Sequence, residues 1–247
     1  MSSNEGFFGT HTIQALLDTR PDQILEIWCQ RGKRNRRIDH LIQQAKETGI
    51  PVRFVDRERL ERKASGNHQG VVAMVREARV YRENDLYELL DNLSEAPFLL
   101  MLDSITDPHN LGACLRSADA AGVHAVIVPR DNSAPLNGTV RKVACGAADT
   151  VPLMTVTNLA RTMRALKERG IWMVGTTSEA DHTIYTAALS GPLTLVMGAE
   201  DKGMRRLTRE HCDTLVRLPM GGTVSSLNVS VATGICLFEA VRQRSKA

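Results

Sequence analysis

Five polar side chains draw attention by where they fall: Asn110, Arg116, Glu200, Ser226 and Asn228. Each follows an apolar run that gives way to a glycine- or proline-bearing stretch. All five therefore belong to strand-end loops or to the helices those loops open. Two amides, a carboxylate, a hydroxyl and a guanidinium can hold and orient a polar ligand. They do not form a nucleophile beside its base. His109 is the only histidine in a candidate site loop of the second half, and it lacks the partners of a metal or nucleophile site, so it reads as structural. No G-x-G-x-x-G follows a predicted strand. Gly198-Ala199-Glu200-Asp201-Lys202-Gly203 lacks the middle glycine and the Lys-Ser/Thr ending of a P-loop, which argues against a nucleotide-dependent oxidoreductase.

The elements that must position these residues are legible in the periodicity. Apolar runs at 98–102, 125–128, 151–156, 171–175 and 193–197 read as buried strands. Helices are expected from the loop after Asp103 through Arg116 to Ala120, over 159–169 and over 204–212. Strand, loop and helix repeat, so the second half is expected to be a parallel α/β sheet with helices on both faces. Ligands in such sheets sit at the carboxyl ends of strands, which singles out the loops starting at Asp103, Gly175, Gly198 and Pro219. The stretch 218–230 is the densest of these. Gly221 and Gly222 allow a sharp turn close to a ligand, and Ser225, Ser226 and Asn228 suit a helix cap. The helix beyond, running to Arg244, is predicted to set Leu227, Ser230, Val231, Gly234 and Leu237 near one face.

Residues 1–76 read as a small α/β unit, with helices at 11–17, 38–47 and 57–63 and strands at 24–29, 52–55 and 71–75. Between them lies a basic loop, 31–37, with Arg31, Lys33, Arg34, Arg36 and Arg37. It is either a phosphate contact or a solvated loop. Asn67-His68-Gln69-Gly70 reads as a turn by default, or as a turn that presents side chains to RNA. The acidic segment 77–96 carries Leu86, Leu89, Leu90 and Leu93 at helical spacing and reads as a connector, which leaves 97–247 as the second domain.

Composition narrows the class. The chain has 247 residues, 43% apolar and 24% charged, as in ordinary globular proteins. Lys plus Arg outnumber Asp plus Glu by 13 to 9 in residues 1–76, which fits a polyanion partner. Aromatics are only 4%, so contact with nucleic acid is expected to rely on charge and backbone more than on stacking. Five cysteines with no CxxC spacing fit reduced thiols in the cytoplasm. No secretory leader is visible, and no apolar run approaches the roughly 20 residues of a membrane helix.

Residues 103–122 (D-x-x-x-D-P-H-N-L-G-A-C-L-R-S-A-D-A-A-G), 195–204 (L-V-M-G-A-E-D-K-G-M) and 218–234 (L-P-M-G-G-T-V-S-S-L-N-V-S-V-A-T-G) resemble the three ordered motifs of the SpoU branch of the SPOUT RNA 2′-O-methyltransferases. Gly9-Thr10-His11, His68-Gln69-Gly70 and the small α/β unit look like the L30e-like RNA-binding domain of the subgroup that methylates a guanosine in large-subunit 23S ribosomal RNA. The resemblance implies a C-terminal trefoil knot, S-adenosyl-L-methionine as cofactor, and a homodimer with each site near the interface. It also implies cofactor binding by Gly198, Leu218 and Leu227 and functional roles for Asn110, Arg116, Glu200, Ser226 and Asn228. The partner it implies is 23S rRNA or a precursor large-subunit particle. Asp201-Lys202 and the 6–10 stretch depart from the pattern only at variable positions. Two alternatives stand beside this reading: a transfer-RNA 2′-O-methyltransferase and a non-catalytic RNA-binding ribosome-assembly protein.

Overall fold

The computed structural model describes residues 4–19, 21–33, 35–63, 68–76 and 81–245. It divides into two compact units, residues 1–79 and 80–247. Arg34 and Asn67 lie outside the described residues.

The smaller unit is built on alternation. It contains β1 (Asn4–Phe8), α1 (Thr10–Thr19), β2 (Ile24–Gln30), α2 (Arg36–Glu47), β3 (Val52–Val55), α3 (Arg57–Glu61) and β4 (Val71–Arg76). The strands order as β1-β4-β2-β3, and only the β2–β3 pair is parallel. Ile27, Cys29, Val71, Ala73 and Val75 face α1 and α2, whose Ile13, Leu16, Leu17, Ile38, Leu41 and Ala45 complete one core. Trp28, Val55, Val72 and Met74 face the other way with Leu60 of α3, and Arg59 stacks 5.3 Å from the Trp28 ring centroid. Strand β1 was not predicted, because Gly6 and its polar neighbours hide the alternation. Helix α2 begins two residues earlier than predicted. The Asn35 side chain accepts the Ile38 N–H at 2.9 Å, so Arg36 and Arg37 belong to its first turn.

The larger unit starts with β5 (Tyr81–Arg82) and α4 (Glu83–Asp91). The segment expected to be a connector therefore contributes to a sheet. Leu86 is fully buried, and Glu83 accepts hydrogen bonds from Arg161 (2.6 Å) and Thr162 (2.9 Å). Next come β6 (Phe98–Asp103), α5 (Pro108–Ala120), β7 (Ala125–Pro129), α6 (Gly138–Ala144), α7 (Ala147–Thr150) and β8 (Leu153–Val156). The chain continues through α8 (Leu159–Glu168), β9 (Trp172–Thr176), β10 (His182–Thr183) and β11 (Leu193–Gly198). It ends with α9 (Arg206–Glu210), β12 (Thr214–Arg217) and α10 (Val229–Arg244). All eight strands are parallel, in the order β10-β12-β9-β11-β6-β7-β8-β5.

Both faces of this sheet are covered. Phe98, Leu100 and Leu102 pack on one side with Leu111, Cys114 and Leu115 of α5 and Cys236, Leu237 and Ala240 of α10. Leu99 and Met101 pack on the other with Leu159, Met163 and Leu166 of α8. This two-sided burial is why the strands read as unbroken apolar runs.

Three expectations are corrected. The short helices α6 and α7 were not foreseen. Helix α9 covers only Arg206–Glu210 of the predicted 204–212. The buried face of α10 is Val229, Thr233, Cys236, Leu237 and Ala240, whereas Val231 is 51% exposed and Leu227 precedes the helix. The end of α10 is stapled down. Gln243 accepts from Leu189 N (3.0 Å) and donates to Ala187 O (3.1 Å), while Arg244 donates to Gly191 O (2.7 Å) and Ala96 O (2.6 Å). Among the described residues no helix is long and apolar enough to cross a membrane.

Candidate functional site

Five buried apolar residues of β6 are followed by an equally buried carboxylate, Asp103. A charge there is tolerable only if it is fully engaged. Asp103 Oδ1 lies 2.7 Å from Arg205 Nε and accepts the Ser104 hydroxyl at 3.0 Å, and Oδ2 accepts Arg205 N–H at 2.9 Å. The end of β6 is thereby tied to the chain just beyond the Gly198–Gly203 turn.

That turn permits no side chain at its start. A Cβ on Gly198 would lie 2.1 Å from Met204 N and 2.2 Å from Gly203 C, while Ala199 and Gly203 exchange hydrogen bonds at 3.1 and 2.8 Å. The glycine signal therefore reports a close backbone crossing, not a phosphate cradle. Gly112 in α5 is equally constrained, because a Cβ would meet Val140 O at 2.7 Å.

Glu200, which projects from the turn, gathers three elements. Its Oε1 accepts from Asn110 Nδ2 (3.2 Å), from Val229 N (3.0 Å) and, at short range, from Asn228 Nδ2. Asn228 Nδ2 also donates to Asn110 Oδ1 at 3.0 Å. Asn228 Oδ1 accepts Ser230 N–H (3.0 Å) and the Ser230 hydroxyl (2.6 Å), which fixes the amide orientation and makes Asn228 the cap of α10. A carboxylate beside the first N–H of a helix also lies at the favourable end of its dipole.

Beside this cluster, at the carboxyl ends of β9, β11 and β12, opens a cleft of about 650 Å³. Gly198, Leu218 and Leu227 line it, with Glu200 and Ser226. The structure thus joins Asn110, Glu200 and Asn228 by hydrogen bonds and sets Gly198, Leu218, Leu227 and Ser226 around the adjoining space. Arg116 stands apart. It is exposed, and its Nη1 lies 3.6 Å from the sulfur of Cys145, the left-handed residue that ends α6. His109 is exposed on the first turn of α5, with Nδ1 3.3 Å from Asp107.

The sequence reading missed the Asp103–Arg205 pair and the ion pair of Glu179 with Arg209 (2.7 Å), both of whose residues line the cleft. A lone carboxylate closing an apolar run was the available signal for Asp103. Burial pushes the Cys114 thiol up to about 11, which leaves it inert beside the cluster. Among the described residues no group of three or more His, Cys, Asp or Glu is placed to hold a metal.

Residues 97–238 match the SpoU rRNA Methylase family, and residues 7–81 match the RNA 2′-O ribose methyltransferase substrate-binding domain. The chain is 62% identical over 242 residues to the 23S rRNA (guanosine-2′-O-)-methyltransferase RlmB of Pectobacterium atrosepticum, covering 98% of this chain and 99% of that one. It is 59% identical to the protein of the same name from Escherichia coli K12, covering 98% and 100%. Among solved structures it resembles the SpoU methyltransferase AviRb of Streptomyces viridochromogenes in complex with AdoMet. The TM-score is 0.66 at 25% identity, over 99% of this chain and 92% of that one. The AdoMet-bound rRNA methyltransferase of Sinorhizobium meliloti gives a TM-score of 0.65 at 25% identity, over 97% and 87%. This chain belongs to the SpoU rRNA methylase family.

Proposed function

We infer that this chain methylates the ribose 2′-OH of a guanosine in 23S ribosomal RNA with S-adenosyl-L-methionine as methyl donor. The observation that carries the reading is Glu200 drawing Asn110, Asn228 and the start of α10 together at the edge of the 650 Å³ cleft. The relatives named for this activity match over nearly the whole chain.

The cleft suits the cofactor in size and lining. Apolar Leu218 and Leu227 flank a glycine that leaves the backbone bare, and no phosphate-binding glycine pattern is present. When bound there, the cofactor supplies a methyl group on a sulfonium centre, open to in-line displacement by an alcohol oxygen. Gly198, Leu218 and Leu227 hold it. Asn110, Glu200 and Asn228 keep the strand-end loops in register, and Ser226 adds a hydroxyl to the polar rim. Arg116 clamps the phosphate and ribose of the target nucleotide, since a guanidinium is a planar fork of donors. It offers no lone pair for the departing proton, and Glu200 Oε1 already serves three donors. We assign the departing proton to a substrate phosphate or to water.

The assembly is a cytoplasmic homodimer. Val231 and Phe238, seven residues apart on α10 and each 51% exposed, give the helix an apolar outer stripe that a second copy would cover. The chain after β11 closes the family's trefoil knot. The first 76 residues act as an L30e-like RNA-binding domain, and the SPOUT domain takes in β5 and α4 at its start.

Mapping 2′-O-methyl sites in 23S rRNA from cells with and without the gene tests the reading. One guanosine should lose its mark and regain it when the purified protein and the cofactor are added. Methylation confined to transfer RNA, or none, would sink it.

A further inference from the structure

The smaller unit has its own cleft, about 440 Å³, between α1 and the start of α2. Thr10, His11, Gln14, Arg36, Arg37 and His40 line it, with no carboxylate in its wall. We propose that this cleft is a subsite for a backbone phosphate of the RNA substrate. The proposal rests on the functional reading above and adds where on the first unit the RNA is held.

The basic run 31–37, which reads as one loop in sequence, is split by the fold. Arg31 turns to Asp56 (3.8 Å), and the Lys33 side chain lies across Gly70, where a Cβ would approach it to 2.6 Å. Arg36 and Arg37 instead open α2, where the dipole also favours an anion. Arg37 Nη1 lies 3.3 Å from His11 Nε2, a long contact that a phosphate oxygen would replace. Nearby glutamines engage the carboxylate of α1: Asp18 Oδ1 accepts from Gln14 (2.9 Å) and Gln44 (2.8 Å), while Asp39 shares the first turn of α2 without lining the cleft. The wall is also fixed from behind. Gln69 Oε1 accepts both the N–H (3.2 Å) and the hydroxyl (2.8 Å) of Thr10, and His68 Nδ1 accepts Gly70 N–H at 3.0 Å. These turn residues hold the start of α1, so His11 is presented by them.

The test uses the purified protein with both units present, a 23S rRNA transcript and a potassium chloride series. Arg36→Gln/Arg37→Gln should lower the salt slope of binding by roughly 0.7–0.9, the share of one phosphate contact. It should raise KM for rRNA about tenfold and leave kcat and cofactor affinity unchanged. Arg57→Gln/Arg62→Gln removes the same charge from the α3 side and should change KM less than twofold. Equal effects from the two pairs would reduce the cleft to net charge and overturn the proposal, as would an unchanged slope. Inorganic phosphate at constant ionic strength separates the sources. If it saturates the cleft while rRNA KM stays unaltered in the cleft variant, the site serves a free anion and the RNA assignment fails. A wild-type protein that methylates no rRNA rejects the functional reading itself, whereas wild-type activity with a silent cleft variant rejects only the subsite.

Discussion

Glu200 in the larger unit accepts hydrogen bonds from residues 90, 28 and 29 positions away, whereas Arg36 and Arg37 at the smaller cleft stand exposed, with one long contact to His11. Asp103 repeats the first pattern with full burial and three donors. The contrast matches the roles proposed for the two clefts. In-line displacement tolerates little error in the placement of the reacting atoms, so its loops are fixed to one another. Holding a phosphate needs charge and reach, and exposed cations supply both. Arg116 crosses this division, because it is an exposed cation inside the catalytic unit.

The comparison can be strained most severely at the glycines. Gly198→Ala forces a Cβ into Met204 N and Gly203 C, both backbone atoms that cannot swing aside. A loss of about 4 kcal/mol in denaturant unfolding, with cofactor binding abolished, is expected. Gly32→Ala in the smaller unit meets nothing within 4 Å and should lose only about 1–2 kcal/mol, the strain of its positive φ. Similar losses at the two positions would erase the distinction between a locked site and an open one.

Arg116 comes next. Arg116→Ala should slow methylation at least about 100-fold, ~2.7 kcal/mol of barrier, with folding and cofactor affinity nearly intact. Single-turnover assays and calorimetry would separate these. Arg116→Lys should rescue poorly, because the planar fork is lost. Full activity in the alanine variant would make Arg116 a bystander, leaving positioning entirely to the mutually bonded residues.

The smallest effect is at Asn228. Asn228→Ala removes the cap of α10 and two of the contacts of Asn110 and Glu200, so about 1 kcal/mol of stability should go. Cofactor affinity should fall with it. Thermal melts together with titration would show whether cap and site are coupled through this one amide. A loss of stability with unchanged affinity would uncouple them.

The legible parts of the sequence share a physical cause. Runs such as 98–102 and 193–197 are apolar without interruption because helices cover both sheet faces, and the strands fell where the runs did. Asn110, Glu200 and Asn228 could be singled out from their strand-end places, and they do meet. What escaped depends on tertiary contact. The role of Asp103 requires a partner 102 residues away. Val231 was grouped on one face with Gly234 and Leu237, yet the packing of α10 against α5 runs through Thr233 and Gly234 and turns Val231 outward. Helices α6 and α7 are too short to show a period.

The staple at the end of α10 carries a kinetic consequence. Arg244 reaches Ala96 across 148 positions, and Asn228 reaches Asn110 across 118. Closing loops of that length is entropically costly, and contacts so far apart in sequence form slowly. Local helices and neighbouring strands can assemble well before the methyl-donor cleft has its last wall. Cofactor capture is therefore expected to lag behind the recovery of helical signal when the denatured chain is refolded.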